Sequence, residues 1–368
     1  MSKTCFYFNK PAKYRESIYR KMEAQFDADW YFGVSRNDLR LFDPSDFRSV
    51  TILQSYEGHG LKWTIGLVRL LFKNYATFLM IGETRDLASL FFLLLKKIFF
   101  RNKKVYLWTH GWYGKENRKE KWYKKLYLSC ADGLLLYGNY ARECLLKEGF
   151  DPLKIYVIHN SLAYDTQLAL RKKLSRTQIY RDHFGNFNPV ICFIGRLRAI
   201  KKLDMIISAL YLLKNQGLAY NLVFIGDGEC KESLEEQVKK LNLVNQIWFY
   251  GECFDEMVNA ELIYNADVCV APGNVGLTAI HSLMFGCPVI THNDFQLQMP
   301  EFEAVKEGVT GSFFERDSVD SLVQTIAKWM AEKNGKREEV MNSCFEEIDS
   351  SWNPYYQLNV IKNVLFSK

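Results

Sequence analysis

The stretch APGNVGLTAIHSLMFGCPVI, residues 271–290, reads as the end of a buried strand, a tight turn, a short helix and the start of another strand. Pro272, Gly273 and Gly276 keep bulk out of the turn, so main chain can approach a ligand closely. The helix is predicted to begin near Leu277. Its first N–H groups and the positive end of its dipole make a ready seat for phosphate. At helical spacing Leu277, Ile280, Leu283 and Met284 share an arc facing the sheet, and Thr278, His281 and Ser282 share the opposite arc. The turn is therefore predicted to hold the phosphates of a nucleotide, with His281 either over the adjoining sugar or serving as a structural histidine.

Outward from this stretch the same rhythm fills the chain. TCFYF, SVTIL, ATFLMI, KVYLWT, GLLLY and KIYVI in the first half, and PVICFI, NLVFI, QIWFY, VCVA and PVIT in the second, are short apolar runs separated by helix-length amphipathic segments. Such runs mark parallel strands covered on both faces. The 368 residues exceed one ordinary core, and 48% hydrophobic residues supply two. The expected class is α/β, with two Rossmann-like domains facing across a cleft. An acceptor-side domain is placed at 1–165, a linker at 166–188, a nucleotide-binding domain at 189–345, and a final helix at 346–368 returning to the first domain. Ligands of open α/β sheets sit beyond the carboxyl ends of the strands, so the residues just after each strand carry the functional reading.

Nine cysteines are scattered without a C-x-x-C pair, several inside strand-like runs where cysteine acts as a small hydrophobe. That usage, and an N-terminus that runs straight into a strand, fit a cytoplasmic protein. No apolar run is long and charge-free enough for a membrane span. LASLFFLLLKKIFFRNKK comes nearest, cut by Lys96 and Lys97. Residues 91–125 hold eleven Lys or Arg against Glu116 and Glu120, so the chain's net charge of +6 is concentrated here. Residues 87–125 read either as a core helix followed by a solvated basic helix, or as a docking face for an anionic membrane or a phosphate-bearing acceptor. No nucleic-acid module accompanies the charge.

Other strand ends sharpen the site. After PVICFI comes GRLRAIKKLD, where Gly195 turns the chain and Arg196 and Lys201 offer a planar fork and a point charge suited to a diphosphate. After NLVFI comes GDGE, without the third glycine of a dinucleotide fingerprint, which argues against hydride transfer.

Taken together, GRLRAIKKLD, NLVFIGDGE, WFYGE, IYNADVCVAPGNVGLTAIHSLMFGCPVIT and MPEFEAVKEGVTGSFF resemble the family 4 glycosyltransferases, retaining enzymes of the GT-B fold, of the bacterial polysaccharide-biosynthesis type (capsule or O-antigen). The resemblance spans residues 190–315. The first half matches in layout, with WTHGWYGKE and IHNS. It implies that Arg196 and Lys201 grip the donor diphosphate and neutralise charge on the leaving group, and that Gly276, Leu277 and Thr278 form the pyrophosphate loop. It further implies that His110 contacts the transferred sugar and that Asn160 lies at the domain junction. The family's two glutamates around this loop are missing: the first falls on Gly273, the second on His281. Asn274 or Glu301 is expected to replace the first, and a ribose hydroxyl remains within the chemistry of His281. No Gly-rich loop follows the first strand. FNKPAKYRES stands there, offering Lys10, Lys13 or Arg15 to an acceptor or phosphate.

The lone D-x-D, Asp27-Ala28-Asp29, precedes the strand-like WYFG and is read as a loop. With Arg and Lys available for the phosphates, neither metal nor cofactor is required. The implied function is hexosyl transfer from a nucleotide-diphosphate sugar to a glycan or lipid-linked glycan, at the inner membrane face if the basic stretch docks there. The alternative is a non-catalytic GT-B homologue acting as a binding or scaffold partner, because both glutamates are absent. A nucleotide-sugar epimerase or a phosphorylase is a further option, though no segment resembles a pyridoxal site.

Overall fold

A computed structural model describes residues 3–34 and 40–366. The chain divides into two compact units, Met1–Ala163 with Pro354–Lys368, and Tyr164–Asn353.

The first unit carries an eight-stranded sheet: β1 (Thr4–Phe8), β2 (Ala28–Val34), β3 (Val50–Gly58), β4 (Leu61–Thr64), β5 (Thr77–Ile81), β6 (Lys104–Thr109), β7 (Gly133–Leu136) and β8 (Ile155–Val157). Their order is β4-β3-β2-β1-β5-β6-β7-β8. All pairs are parallel except β3–β4. That hairpin turns through His59 and Gly60, both at positive φ (49° and 77°), a backbone twist that suits a two-residue reversal. The sheet order reverses at β1, which lies between β2 and β5. Right-handed crossovers therefore place α1 (Glu16–Gln25) on one face, and α2 (Leu87–Phe99), α3 (Arg118–Ser129) and α4 (Asn139–Lys147) on the other.

The core of this unit is aromatic: Phe6, Phe8, Trp30 and Trp108 are buried against one another. The last helix of the chain, Pro354–Phe366, lies on the α1 face, where Phe366 stacks on Phe26 at 5.5 Å and Lys362 donates to Gln25 at 2.6 Å.

Lys96 and Lys97, which cut the apolar run of α2, part ways: Lys97 is exposed, and Lys96 is buried and ion-paired with Asp132. Phe91, Ile98 and Phe99 point to solvent, 53%, 58% and 70% exposed. The aspartate pulls the ammonium inward, and the helix turns apolar side chains out.

The second unit holds a six-stranded, all-parallel sheet: β9 (Val190–Ile194), β10 (Asn221–Ile225), β11 (Ile247–Gly251), β12 (Val268–Ala271), β13 (Val289–His292) and β14 (Gly311–Phe314). The order is β11-β10-β9-β12-β13-β14, so the switch point lies between β9 and β12. Residues 166–188, expected as a linker, belong to this unit. They contain most of α5 (Tyr164–Arg171) and all of α6 (Ile179–Phe184), and Tyr180 is buried with its hydroxyl donating to Leu262 O at 2.7 Å. The expected final helix is two helices. Arg337–Ser351 stays in the second unit, and Pro354 opens the helix that joins the first. Proline tolerates a first helical turn but not an interior, which sets the break there. All nine cysteines are free thiols.

Candidate active site

In the second unit the site is built at the switch point. β9 ends at Ile194, and Gly195 follows at φ 142°, its amide donating to Ile225 O at 3.0 Å. Arg196 comes next and is exposed. The chain then closes a 3-10 turn, Ala199–Lys201, which sets Lys201 against the loop after β12. The Lys201 ammonium donates to Asn274 O at 2.6 Å and to Asn274 Oδ1 at 2.9 Å, while the Gly273 amide donates to Lys201 O at 3.0 Å. The two segments are so close that a Cβ on Gly273 would lie 2.0 Å from Ile200 O. Burial drives the Lys201 pKa down to about 8, with Glu301 pulling it up and Arg198 pushing it down. Glu301, buried on the Pro300–Ala304 turn, is thus an electrostatic neighbour of Lys201.

The loop opens into α10 (Leu277–Met284), whose N-cap, Gly276, has no side chain to cap it. The first amides of a helix have no intrahelical acceptor, so this end faces the loop with donors and positive partial charge. Within the first turn Ala279 N donates to Gly276 O at 3.0 Å, and in the loop before the helix Val275 N donates to Gln298 Oε1 at 2.9 Å, a partner without any motif in FQLQMP. Gly195, Lys201, Gly273, Asn274, Gly276, Leu277 and Thr278 therefore form one cluster. Thr278 Oγ1 donates to Ile194 O at 2.9 Å, and a Cβ on Gly195 would lie 3.5 Å from it.

The polar arc of this helix is not as read from the sequence. Thr278 faces the end of β9, and Ser282 is fully buried. His281 has a carboxylate partner: its Nε2 lies 2.9 Å from Glu256 Oε1, at the start of α9 (Glu256–Asn265), and Gln167 Nε2 donates to the same oxygen at 2.7 Å. Burial raises the Glu256 pKa less than its bond to His281 and the other donors lower it, so it stays a carboxylate. Nothing in the sequence pairs positions 256 and 281. Glu256 opens a helix with almost no amphipathic pattern, so packing rather than periodicity sets the pairing.

In the first unit, a cavity of about 370 Å³ lies at that sheet's own switch point, lined by Asn9 and Lys10 after β1, Gly82 and Glu83 after β5, and His110 after β6. His110 has an exposed face, yet crowding of its ring, then the charges of Arg15 and Lys124, hold its pKa down to about 4. It is a neutral imidazole at pH 7. Its Nδ1 lies 2.9 Å from the Tyr113 hydroxyl, and its ring packs 4.6 Å from that of Tyr137. Arg15 and Lys10 line the cavity; Lys13 points out and pairs with Glu16. Asn160 is buried after β8, its Oδ1 accepting from Ser161 N at 3.0 Å, four residues before the second unit begins at Tyr164. Asp29 lies inside β2 rather than in a loop, paired with Lys3 at 2.7 Å at the amino ends of the strands, away from any ligand crevice.

Residues 181–343 match the family described as Glycosyl transferases group 1. The crystal structure of Anabaena HepE in complex with UDP shares the fold over 100% of both chains, with a TM-score of 0.72 at 16% identity. The chain has the GT-B fold. Within it, the matched family segment contains the second-unit cluster and leaves His110 and Asn160 outside. A glycogen synthase of Thermodesulfovibrio yellowstonii is 26% identical over 171 residues, 45% of this chain and 33% of that protein. A GDP-mannose-dependent alpha-(1-6)-phosphatidylinositol dimannoside mannosyltransferase of Mycobacterium tuberculosis is 36% identical over 114 residues, 30% of this chain and 29% of that protein. The chain spans about a third of the length of the curated relatives it matches.

Proposed function

We propose that this chain is a glycosyltransferase that moves a hexosyl group from a nucleotide-diphosphate sugar to a glycan or lipid-linked glycan, with retention of configuration and without metal or cofactor. One observation carries the reading: a cation, Lys201, and an uncapped helix N-terminus converge on the loop at the carboxyl ends of β9 and β12. This is the chemistry that receives a diphosphate leaving group. Arg196, following β9 directly, adds a second cation for the same charge. His110, neutral and held by Tyr113, is suited to hydrogen-bond sugar hydroxyls rather than phosphate.

The outward ridge of α2 supports a membrane-borne acceptor in a polysaccharide pathway. Phe91, Ile98 and Phe99 stand beside exposed Lys97, Arg101 and Lys104, an apolar and basic combination that fits an anionic bilayer surface at the cytoplasmic face. Among the described residues no helix is long and apolar enough to cross a membrane.

The test is a panel of UDP-, GDP- and ADP-sugars, read by release of free nucleotide and by thermal shift. Release with one of them is expected. No release and no shift with any nucleotide would favour the scaffold reading, to which the missing glutamates point.

A further inference from the structure

The first-unit cavity contains a charge that the protein leaves uncompensated. Arg15 is 6% exposed and lines the cavity. Its guanidinium lies over the rings of Trp108, Tyr14 and Tyr137 at 5.3, 5.4 and 5.5 Å. It donates to the hydroxyls of Tyr19, at 3.2 Å, and Tyr137. Its Nε is buried without an acceptor, and Arg15 forms no ion pair among the described residues. The carboxylates nearby are engaged elsewhere: Glu83, in the cavity wall, pairs with Lys62 at 3.1 Å, and Glu116 pairs with Lys124 at 2.7 Å. Lys10 and Arg85 line the same space. Tyrosine hydroxyls and ring faces ease the burial of a guanidinium but bring no negative charge. A buried cation without a counter-ion is costly, and the cost is recovered when an anion arrives.

We infer that the first-unit cavity binds a phosphate-class oxyanion carried by the acceptor, with Arg15 as its principal partner and Lys10 and Arg85 beside it. The inference rests on the glycosyltransferase reading for the word acceptor, and on the cavity alone for the anion. Its place agrees with general behaviour, because open α/β sheets bind ligands at the carboxyl ends of the strands where the order reverses, here between β1 and β5. Volume agrees too: about 370 Å³ accommodates a phosphorylated sugar-sized group and not an extended chain. The planar fork of arginine discriminates such an oxyanion from a neutral hydroxyl group.

The experiment uses the full chain with glycerol 3-phosphate and glycerol as probes, titrated by calorimetry with and without saturating UDP. Glycerol 3-phosphate is expected to bind and glycerol not, and UDP is expected to leave that binding intact. Arg15→Gln should weaken it by about tenfold or more, the measure of one charge-assisted bond, with UDP affinity unchanged. If Arg15→Gln does not fold, Lys10→Gln decides in its place. Equal binding of the two probes, or full retention in a folded variant, overturns the inference. Loss of the phosphate signal when UDP is present also overturns it, because the cations then serve the donor's diphosphate. A protein that binds UDP and releases nucleotide but ignores glycerol 3-phosphate fails this inference alone. One that binds glycerol 3-phosphate but no nucleotide fails only the transferase reading.

Discussion

Lys201 is tied to Asn274 twice, through the main-chain oxygen at 2.6 Å and the side-chain oxygen at 2.9 Å. The asparagine thus parks the ammonium at the mouth of the α10 N-terminus, where a leaving diphosphate would take it over. Lys201→Ala should lower turnover by about 10²–10³-fold, the scale for removing one preorganised partner of developing charge. Arg196→Ala should do the same. Asn274→Ala, which keeps the charge and loses only its parking place, should cost less than either. Steady-state rates on the donor identified by the panel check all three, and near-normal transfer in both cation variants would defeat the assignment.

The same ammonium sets a pH limit. Burial lowers its pKa to about 8, so below that pH it is charged and able to meet phosphate, and above it the charge is lost. The rate constant kcat/KM should therefore fall as pH rises through about 8, with no change from His110, which is already neutral above about pH 4. Stability runs the other way. The folded state disfavours the proton, so the burial penalty is present below about pH 8 and is relieved as pH rises toward the ordinary lysine value of 10.5. Lys201→Met should abolish that stability slope, measured as Tm against pH. A parent profile flat in both rate and Tm across this window would sink the prediction.

Gly273 sits where the neighbouring main chain leaves no space for a side chain. A Cβ there would lie 2.0 Å from Ile200 O and 2.7 Å from Lys201 Cα, both main chain and unable to step aside. The loop after β12 packs directly on the 199–201 turn, leaving no room for a side chain at 273. Gly273→Ala should therefore destabilise the protein by about 1–3 kcal/mol, as overpacking does, and weaken binding of whichever nucleotide the panel identifies, by prising the loop from Lys201. Denaturation midpoints and titration with that nucleotide decide this; an alanine variant that keeps both would show the loop to be pliant.

What the sequence revealed, and what it hid, follows the physics. Fully buried parallel strands announce themselves as short apolar runs, and every run quoted above lies on a strand. β4 and β14, LKWT and GSFF, were missed because an edge strand of four residues alternates or dilutes its pattern. Glycines and cations after β9 and β12 were readable because a strand end fixes their place. His281 and Lys96 were not. Helical periodicity says which side chains share a face, but only a partner, Glu256 or Asp132, decides whether a polar one turns inward. Arg15 carried a weak signal: basic residues follow the first strand, but its burial among aromatic rings depends on Trp108 and Tyr137, roughly a hundred residues away.

The α2 ridge keeps three large apolar side chains in water. Exposed Phe91, Ile98 and Phe99 each leave apolar surface in water, and full burial of such side chains is worth about 1.5–3 kcal/mol. Partial insertion into an interface recovers a fraction of that for each. Replacing all three by serine should lower binding to vesicles containing anionic lipid by more than about tenfold, since a tenfold change needs only about 1.4 kcal/mol in total. The variant should melt at the parent's temperature, because the core-facing side of α2, including the Lys96–Asp132 pair, is untouched. Raising salt should weaken the parent's binding as the surrounding lysines and arginines are screened. Co-sedimentation with anionic and with neutral vesicles separates these terms. Equal sedimentation of parent and variant, or equal affinity for neutral vesicles, would leave the ridge facing something other than a bilayer.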